Sequence, residues 1–208
     1  MEKISKTKLK EVNKLFQAKE QLKQQAFLVF DLASINQAKK LGLLKGAYQV
    51  NHGVVGIVHF PKSKPLSNHV VYLDEITDPG NLGKIIYLMK KNKIRDLILS
   101  KNSVSPFNKK CLMIAKDAIF DINIIHGDIS LLKTLKKDYQ IVATGLKGAC
   151  SLIDLKLKDK YIIVFGNEAR GVKKEILNFA NEVVKIEIKN IDSLNVAVAA
   201  SIIFNNLK

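Results

Sequence analysis

The sequence contains no tryptophan, only two cysteines and four prolines, and none of its eleven glycines pairs with another as GxG. The last absence excludes the dinucleotide-binding fingerprint and the Walker loop, whose glycines let backbone wrap a phosphate. Cys111 and Cys150 stand apart, without CxxC or Cys/His ligand spacing, so neither a zinc site nor a disulfide framework is expected. Both read as small core residues. No apolar run reaches the ~18–20 residues of a membrane span, and the opening "MEKISKTKLKEV" lacks the apolar segment of a signal peptide. The expectation is a cytoplasmic protein with neither membrane nor metal. Acidic residues are scarce too: 19 Asp and Glu against 34 Lys and Arg leave a net charge of +15.

What the chain has is length and apolar content. Its 208 residues, 47% of them hydrophobic, suffice for one full-sized domain and a small appendage. The positive excess fits a polyanion such as nucleic acid, bound through counterion release. Solvated lysine faces give the same total, and lysine positions a phosphate backbone without reading its sequence.

Hydrophobic periodicity predicts an amphipathic basic helix over 3–24, a buried strand over 26–30, a helix over 34–42 ending at Gly42 and a strand over 53–60. These make a small α/β unit over 1–60. "PKSKPLSN" (61–68), with two prolines and two lysines, reads as a linker. From 69 to 208 the pattern is regular, with strands at 69–76, 95–100, 120–125, 139–146, 161–166 and 183–188. Helices alternate with them at 81–92, 106–118, 128–138, 172–180 and 192–207. Continuous β-branched strands alternating with helices predict a parallel sheet covered on both faces.

Such a sheet binds ligands beyond the carboxyl ends of its strands, and three polar turns lie there. In "DPGNLG" (78–83), Pro79 and Gly80 make a tight turn, and Asn81 falls where a helix N-cap would bond backbone amides. In "GNEARG" (166–171), Gly166 and Gly171 permit close backbone approach while Glu168 and Arg170 stand in the loop. In "SLNVAVAAS" (193–201), Ser193 and Asn195 flank Leu194 at a helix start, and capping accounts for one of these polar groups but not for both. Each turn alone has a structural explanation; their convergence would make a site.

In this order, "LDEITDPGNLGKII", "IIVFGNEARGV" and "IEIKNIDSLNVAVAASIIF" resemble the three motifs of the SpoU (TrmH-like) RNA 2′-O-ribose methyltransferases, a branch of the SPOUT superfamily. Residues 1–60 resemble a shortened L30e-like RNA-binding domain, "HGVVGIV" being similar to its last strand. The resemblance implies a C-terminal deep trefoil knot, a homodimer with the final helix in the interface, and rRNA or tRNA as substrate. It also implies S-adenosylmethionine held by the loops around Gly166, Ile186 and Leu194. By the same match, Asn81, Glu168, Ser193 and Asn195 are the catalytic polar groups. The family's motif-one arginine falls on Tyr87, and a second arginine-serine segment falls on Met113 and Ala115.

The leading expectation is therefore S-adenosylmethionine-dependent methylation of a ribose 2′-hydroxyl. In that reading Lys84 or Arg170 would supply the cation that the arginine provides in the family; the alternative is a catalytically impaired RNA-binding or ribosome-assembly protein, with Tyr87, Met113 and Ala115 as its marks.

Overall fold

The computed structural model describes residues 2–3, 25–50, 53–145, 150–187 and 194–207. The N-terminal part contains β1 (Glu2–Lys3), β2 (Ala26–Val29), helix α1 (Leu32–Lys40), β3 (Leu44–Val50) and β4 (Gly53–His59). The strands form one sheet in the order β1-β3-β4-β2, with β4 antiparallel to both its neighbours. Asp31 caps α1 by accepting from the Ser34 amide at 2.8 Å. Of these elements β1 and β3 were not anticipated. "LKGAYQV" carries a glycine and two polar residues and no β-branched residue before its end, so its strand signal is weak. The basic helix expected over 3–24 lies outside the described residues, except Lys3, which belongs to β1.

The larger part builds a seven-stranded, wholly parallel sheet. Its elements are β5 (His69–Leu73), α2 (Pro79–Lys91), β6 (Asp96–Leu99), α3 (Lys109–Ala115), β7 (Asn123–His126), α4 (Ile129–Leu135), β8 (Gln140–Thr144), β9 (Cys150–Ser151), β10 (Tyr161–Phe165), α5 (Lys174–Phe179), β11 (Glu182–Lys185) and α6 (Val196–Asn206). The strand order is β7-β6-β5-β10-β8-β11-β9. A late strand, β10, thus lies between β5 and β8 and pairs in parallel with both.

Alternation along each strand sends side chains to two cores. Val71, Leu73, Leu97, Leu99, Ile163 and Phe165 face α2, α3 and α6, while Val70, Tyr72, Ile98, Ile162 and Val164 face α4 and α5. Both faces are therefore covered, as the unbroken apolar strands require. Each fully buried aliphatic side chain contributes about 1.5–3 kcal/mol. The first core runs on into the small sheet: Phe27, tilted, and Phe60, edge to face, pack against Phe107 with ring centroids 4.7 and 4.6 Å apart. No helix among the described residues is long and apolar enough to cross a membrane.

Candidate active site

The strand order brings distant turns together. Because β5 and β10 are neighbours running in the same direction, the loop after Leu73 and the loop after Phe165 leave the same edge side by side. Helix α6 then packs on α2, which sets its N-terminus beside the start of α2.

At that start Asp78, not Asn81, is the N-cap: its carboxylate accepts from the Gly80 and Asn81 amides, and Pro79 occupies the first helical position, where no N–H is needed. The cap is fixed three residues earlier than the sequence suggested, and this frees the Asn81 side chain. Asn81 is 93% buried and uses both ends of its amide. Its Nδ2 donates to Glu168 Oε1 at 3.0 Å, and its Oδ1 accepts from Asn195 Nδ2 at 3.0 Å. Asn195 in turn caps α6, its Oδ1 accepting from the Ala197 amide at 3.0 Å. That cap fixes the direction of the whole line: with Oδ1 engaged by the helix, Nδ2 must face Asn81, whose Nδ2 must then face the carboxylate. Residues 87 and 114 positions apart in sequence thus form one hydrogen-bonded chain from a helix terminus to Glu168. Ser193, the fourth expected member, lies outside the described residues.

The motif-two loop is held by groups that, Arg170 apart, sequence reasoning did not single out. Glu75, in the left-handed region at φ 57, accepts from Arg170 at 2.7 Å, Lys173 Nζ at 2.7 Å and Asn102 at 2.8 Å, while its carbonyl accepts from Asn167 Nδ2 at 2.8 Å. Asp74 accepts from the Lys173 amide at 3.0 Å. The hydrogen bond from Lys173, then that from Asn102, holds the Glu75 carboxyl below the usual glutamate range. The signal was present as an acidic pair closing a buried strand, "LDE", matched by a basic pair in "ARGVK". Gly166 is required by the same loop: a Cβ there would overlap the backbone of Gly171 and Val172, joined to Asn167 by a two-way bridge. The space left by its missing side chain is taken by the protein itself.

The other expected positions spread along this edge. Gly166 and Ile186 follow β10 and β11, two strand spacings or about 10 Å apart, with Gly145 after β8 between them. Half-buried Leu194 precedes Asn195. A row of backbone amides and carbonyls beside half-buried aliphatic side chains suits an amphiphilic ligand bound chiefly through main-chain groups. Tyr87 is 39% exposed on α2, six residues beyond Asn81, hence about 9 Å along the axis and rotated well away from it. Met113 is exposed and Ala115 buried. Of the two cations considered as replacements, Arg170 is committed to Glu75, whereas exposed Lys84, one helical turn from Asn81, has no ion pair among the described residues. No cluster of three or more potential metal ligands occurs among the described residues.

The SpoU rRNA Methylase family model matches residues 68–205, the span that carries all three turns. The chain belongs to this family. Within it the chain is 26% identical over 159 residues to a 23S rRNA guanosine 2′-O-methyltransferase of Bacillus subtilis, covering 74% of this chain and 64% of the relative. It is 34% identical over 140 residues to an uncharacterized tRNA/rRNA methyltransferase of Mycoplasma genitalium, covering 64% of this chain and 58% of the relative. The chain therefore spans about three fifths of the length of these curated relatives. Among solved structures, the AdoMet-bound rRNA methyltransferase of Sinorhizobium meliloti superposes with a TM-score of 0.84 at 22% identity, covering 99% of this chain and 96% of that one. The SpoU methyltransferase AviRb of Streptomyces viridochromogenes gives 0.79 at 18%, over 88% and 89%. These likenesses establish the fold: a SpoU-type α/β domain with a parallel seven-stranded sheet flanked by helices.

Proposed function

We propose that the protein methylates a ribose 2′-hydroxyl of rRNA or tRNA, using S-adenosylmethionine held at the ends of β8, β10 and β11. The observation that carries this reading is the Asn195–Asn81–Glu168 line, which joins the three family motifs at one edge of the sheet. The names of the relatives, several of them rRNA 2′-O-methyltransferases, support the substrate class.

A ribose hydroxyl is a poor nucleophile and must lose its proton as it attacks. When bound, the cofactor would supply an electrophilic methyl group on a positively charged sulfur, with a neutral thioether as the leaving group that takes the electron pair of the S–C bond. The chain supplies the rest. Asn81 engages one oxygen of Glu168, and the second oxygen has no partner among the described residues, so it accepts the hydrogen of the 2′-hydroxyl. As the bond from ribose oxygen to methyl carbon forms, the proton passes to that carboxylate. Asn195 and Asn81 keep Glu168 aimed without carrying charge, and Lys84 stands where a cation can meet a phosphate.

The same reading includes threading of the chain into a trefoil knot, supported by the late insertion of β10 between β5 and β8. The segments 146–149 and 188–193, which would complete the threading, lie outside the described residues. It also includes a homodimer, supported by exposed Tyr87, Met113 and Val198 on α2 and on the two helices packed against it, α3 and α6. The small sheet would serve as an RNA-binding unit. Transfer of a labelled methyl group to unmodified rRNA or tRNA, followed by mapping of the ribose, tests the proposal. Bound cofactor with no incorporation into any of these RNAs would refute it. One observation favours a second reading, an RNA-binding or assembly protein without turnover: none of the positions matched to the family's arginines carries a cation in this chain.

A further inference from the structure

At the opposite edge of the large sheet, segment 61–67, the C-terminal end of α2 and the starting ends of β6 and β7 enclose a cavity of about 680 Å³. Its rim carries Lys62, Lys64, Lys93 and Arg95, all exposed and without an ion pair among the described residues. The neighbouring acids are already committed. Asp96 accepts from Ser67 and, at 2.6 Å, from Asn123, while Asp121 pairs with Lys90 at 2.8 Å. The floor includes the half-buried rings of Phe60 and Phe120. The rim is held in place: the Lys64 amide donates to Asn123 Oδ1 at 2.9 Å, and Asn123 Nδ2 donates back to the Lys64 carbonyl at 3.0 Å.

We infer that this cleft is a docking groove for single-stranded RNA flanking the methylated nucleotide, an inference that rests on the RNA-directed function proposed above. Unpaired cations around an apolar, aromatic floor match what a single strand presents, phosphates outside and bases to stack. The chain's own residues 4–24 are a poor occupant, because their six lysines against two glutamates repeat the charge of the rim. Helix α2 gives the distance to the reacting centre. Lys90, on the cleft wall, lies nine residues from Asn81, about 14 Å along the axis. A substrate must then extend several nucleotides beyond the target ribose to reach the groove.

Binding of an oligoadenylate of about twelve nucleotides to the full chain, followed by fluorescence anisotropy across a salt series, tests the groove. The variant with Lys62, Lys64, Lys93 and Arg95 all changed to Ala is expected to bind more than tenfold more weakly. The slope of log affinity against log salt should fall by about 2.8, at about 0.7 for each single-strand phosphate contact. Its melting temperature and its S-adenosylmethionine binding by calorimetry should match the parent's. An unaltered slope in that variant, or equal competition by a polyglutamate peptide of matched charge, overturns the inference. So does a photocrosslinker at position 64 that labels residues 4–24 in preference to added oligoadenylate. The outcomes separate from those of the function itself: methylation by the parent with an unaltered slope in the variant removes the groove alone. Loss of slope in a protein that transfers no methyl group removes the enzymatic reading and leaves the groove standing.

Discussion

The two edges of the seven-stranded sheet use polar residues in opposite ways. At the carboxyl edge, Asn81 bonds Asn195 and Glu168, and Glu75 bonds Arg170 and Lys173, so that the polar side chains are largely engaged with one another among the described residues. At the amino edge, Lys62, Lys64, Lys93 and Arg95 have no ion pair among the described residues. The contrast follows from what each edge would do. Chemistry requires groups fixed before the substrate arrives, because reorganisation in the transition state raises the barrier. Attraction of a polyanion requires charge that nothing internal has neutralised. Substitutions at the first edge should therefore change rate and stability, and those at the second should change salt dependence.

The largest effect is expected at Gly166. Gly166→Val drives a branched side chain into the Gly171–Val172 backbone, so the motif-two loop must open. A loss of about 3 kcal/mol in chemical denaturation, with methyl transfer reduced to background, is the expected result. Near-parental stability would mean that the loop has another way to close.

Next in size is Glu168→Gln, which keeps an oxygen for Asn81 and removes the charge. Single-turnover methyl transfer should fall by roughly 10²–10⁴-fold, with stability within about 0.5 kcal/mol because the side chain is exposed. RNA affinity should be unchanged. A rate within a factor of about three would assign proton removal elsewhere.

Asn195 separates two roles carried by one side chain. Asn195→Ala removes the α6 cap and the bond to Asn81 together and should cost about 1 kcal/mol. Asn195→Ser restores the cap, since serine oxygen accepts from the same amide, but is too short to reach Asn81. Stability should return in the serine variant while the rate stays low. Recovery of both would reduce the Asn195–Asn81 bond to a by-product of capping.

How much of this was legible in the residues follows from the same contrast. The strands at 69–73, 96–99, 140–144 and 161–165 were readable because burial on both faces leaves a run of apolar residues inside their ends, a signal that survives without knowing the neighbours. Half-buried β3 gave no such signal. The helix expected over 106–118 proved to be α3 followed by a 3₁₀ segment, with Lys116 turned to φ 52, a break that periodicity alone does not reveal. Asn81, Glu168 and Asn195 were legible as polar residues in strand-end turns, and their resemblance to family motifs named them. Their mutual bonding was not, because it depends on β10 lying beside β5. Glu75 was missed for a similar reason: an acid at a strand end looks solvated until its partners, 27 to 98 residues away, are in place.

The remaining effect, on stability alone, concerns that clamp and acid. The Glu75 carboxyl titrates below its ordinary range because Lys173 and Asn102 bond its charged form, whereas in the unfolded chain it titrates near 4.3. A depressed folded value means the unfolded state takes up the proton first, so the stability due to this group is present above about pH 4.3 and is lost as pH falls through the folded value. Lys173 and Arg170 are partly solvent-exposed, which screens the pairs and limits the contribution to about 1–2 kcal/mol. Glu75→Gln should therefore be less stable than the parent at pH 7 by that amount, and the gap should close as pH falls below about 4.3. Denaturation midpoints across that fall in pH measure it. Equal stability of variant and parent at pH 7 would mean that Glu75 holds the loop through its backbone carbonyl and its left-handed turn, with its charge contributing nothing.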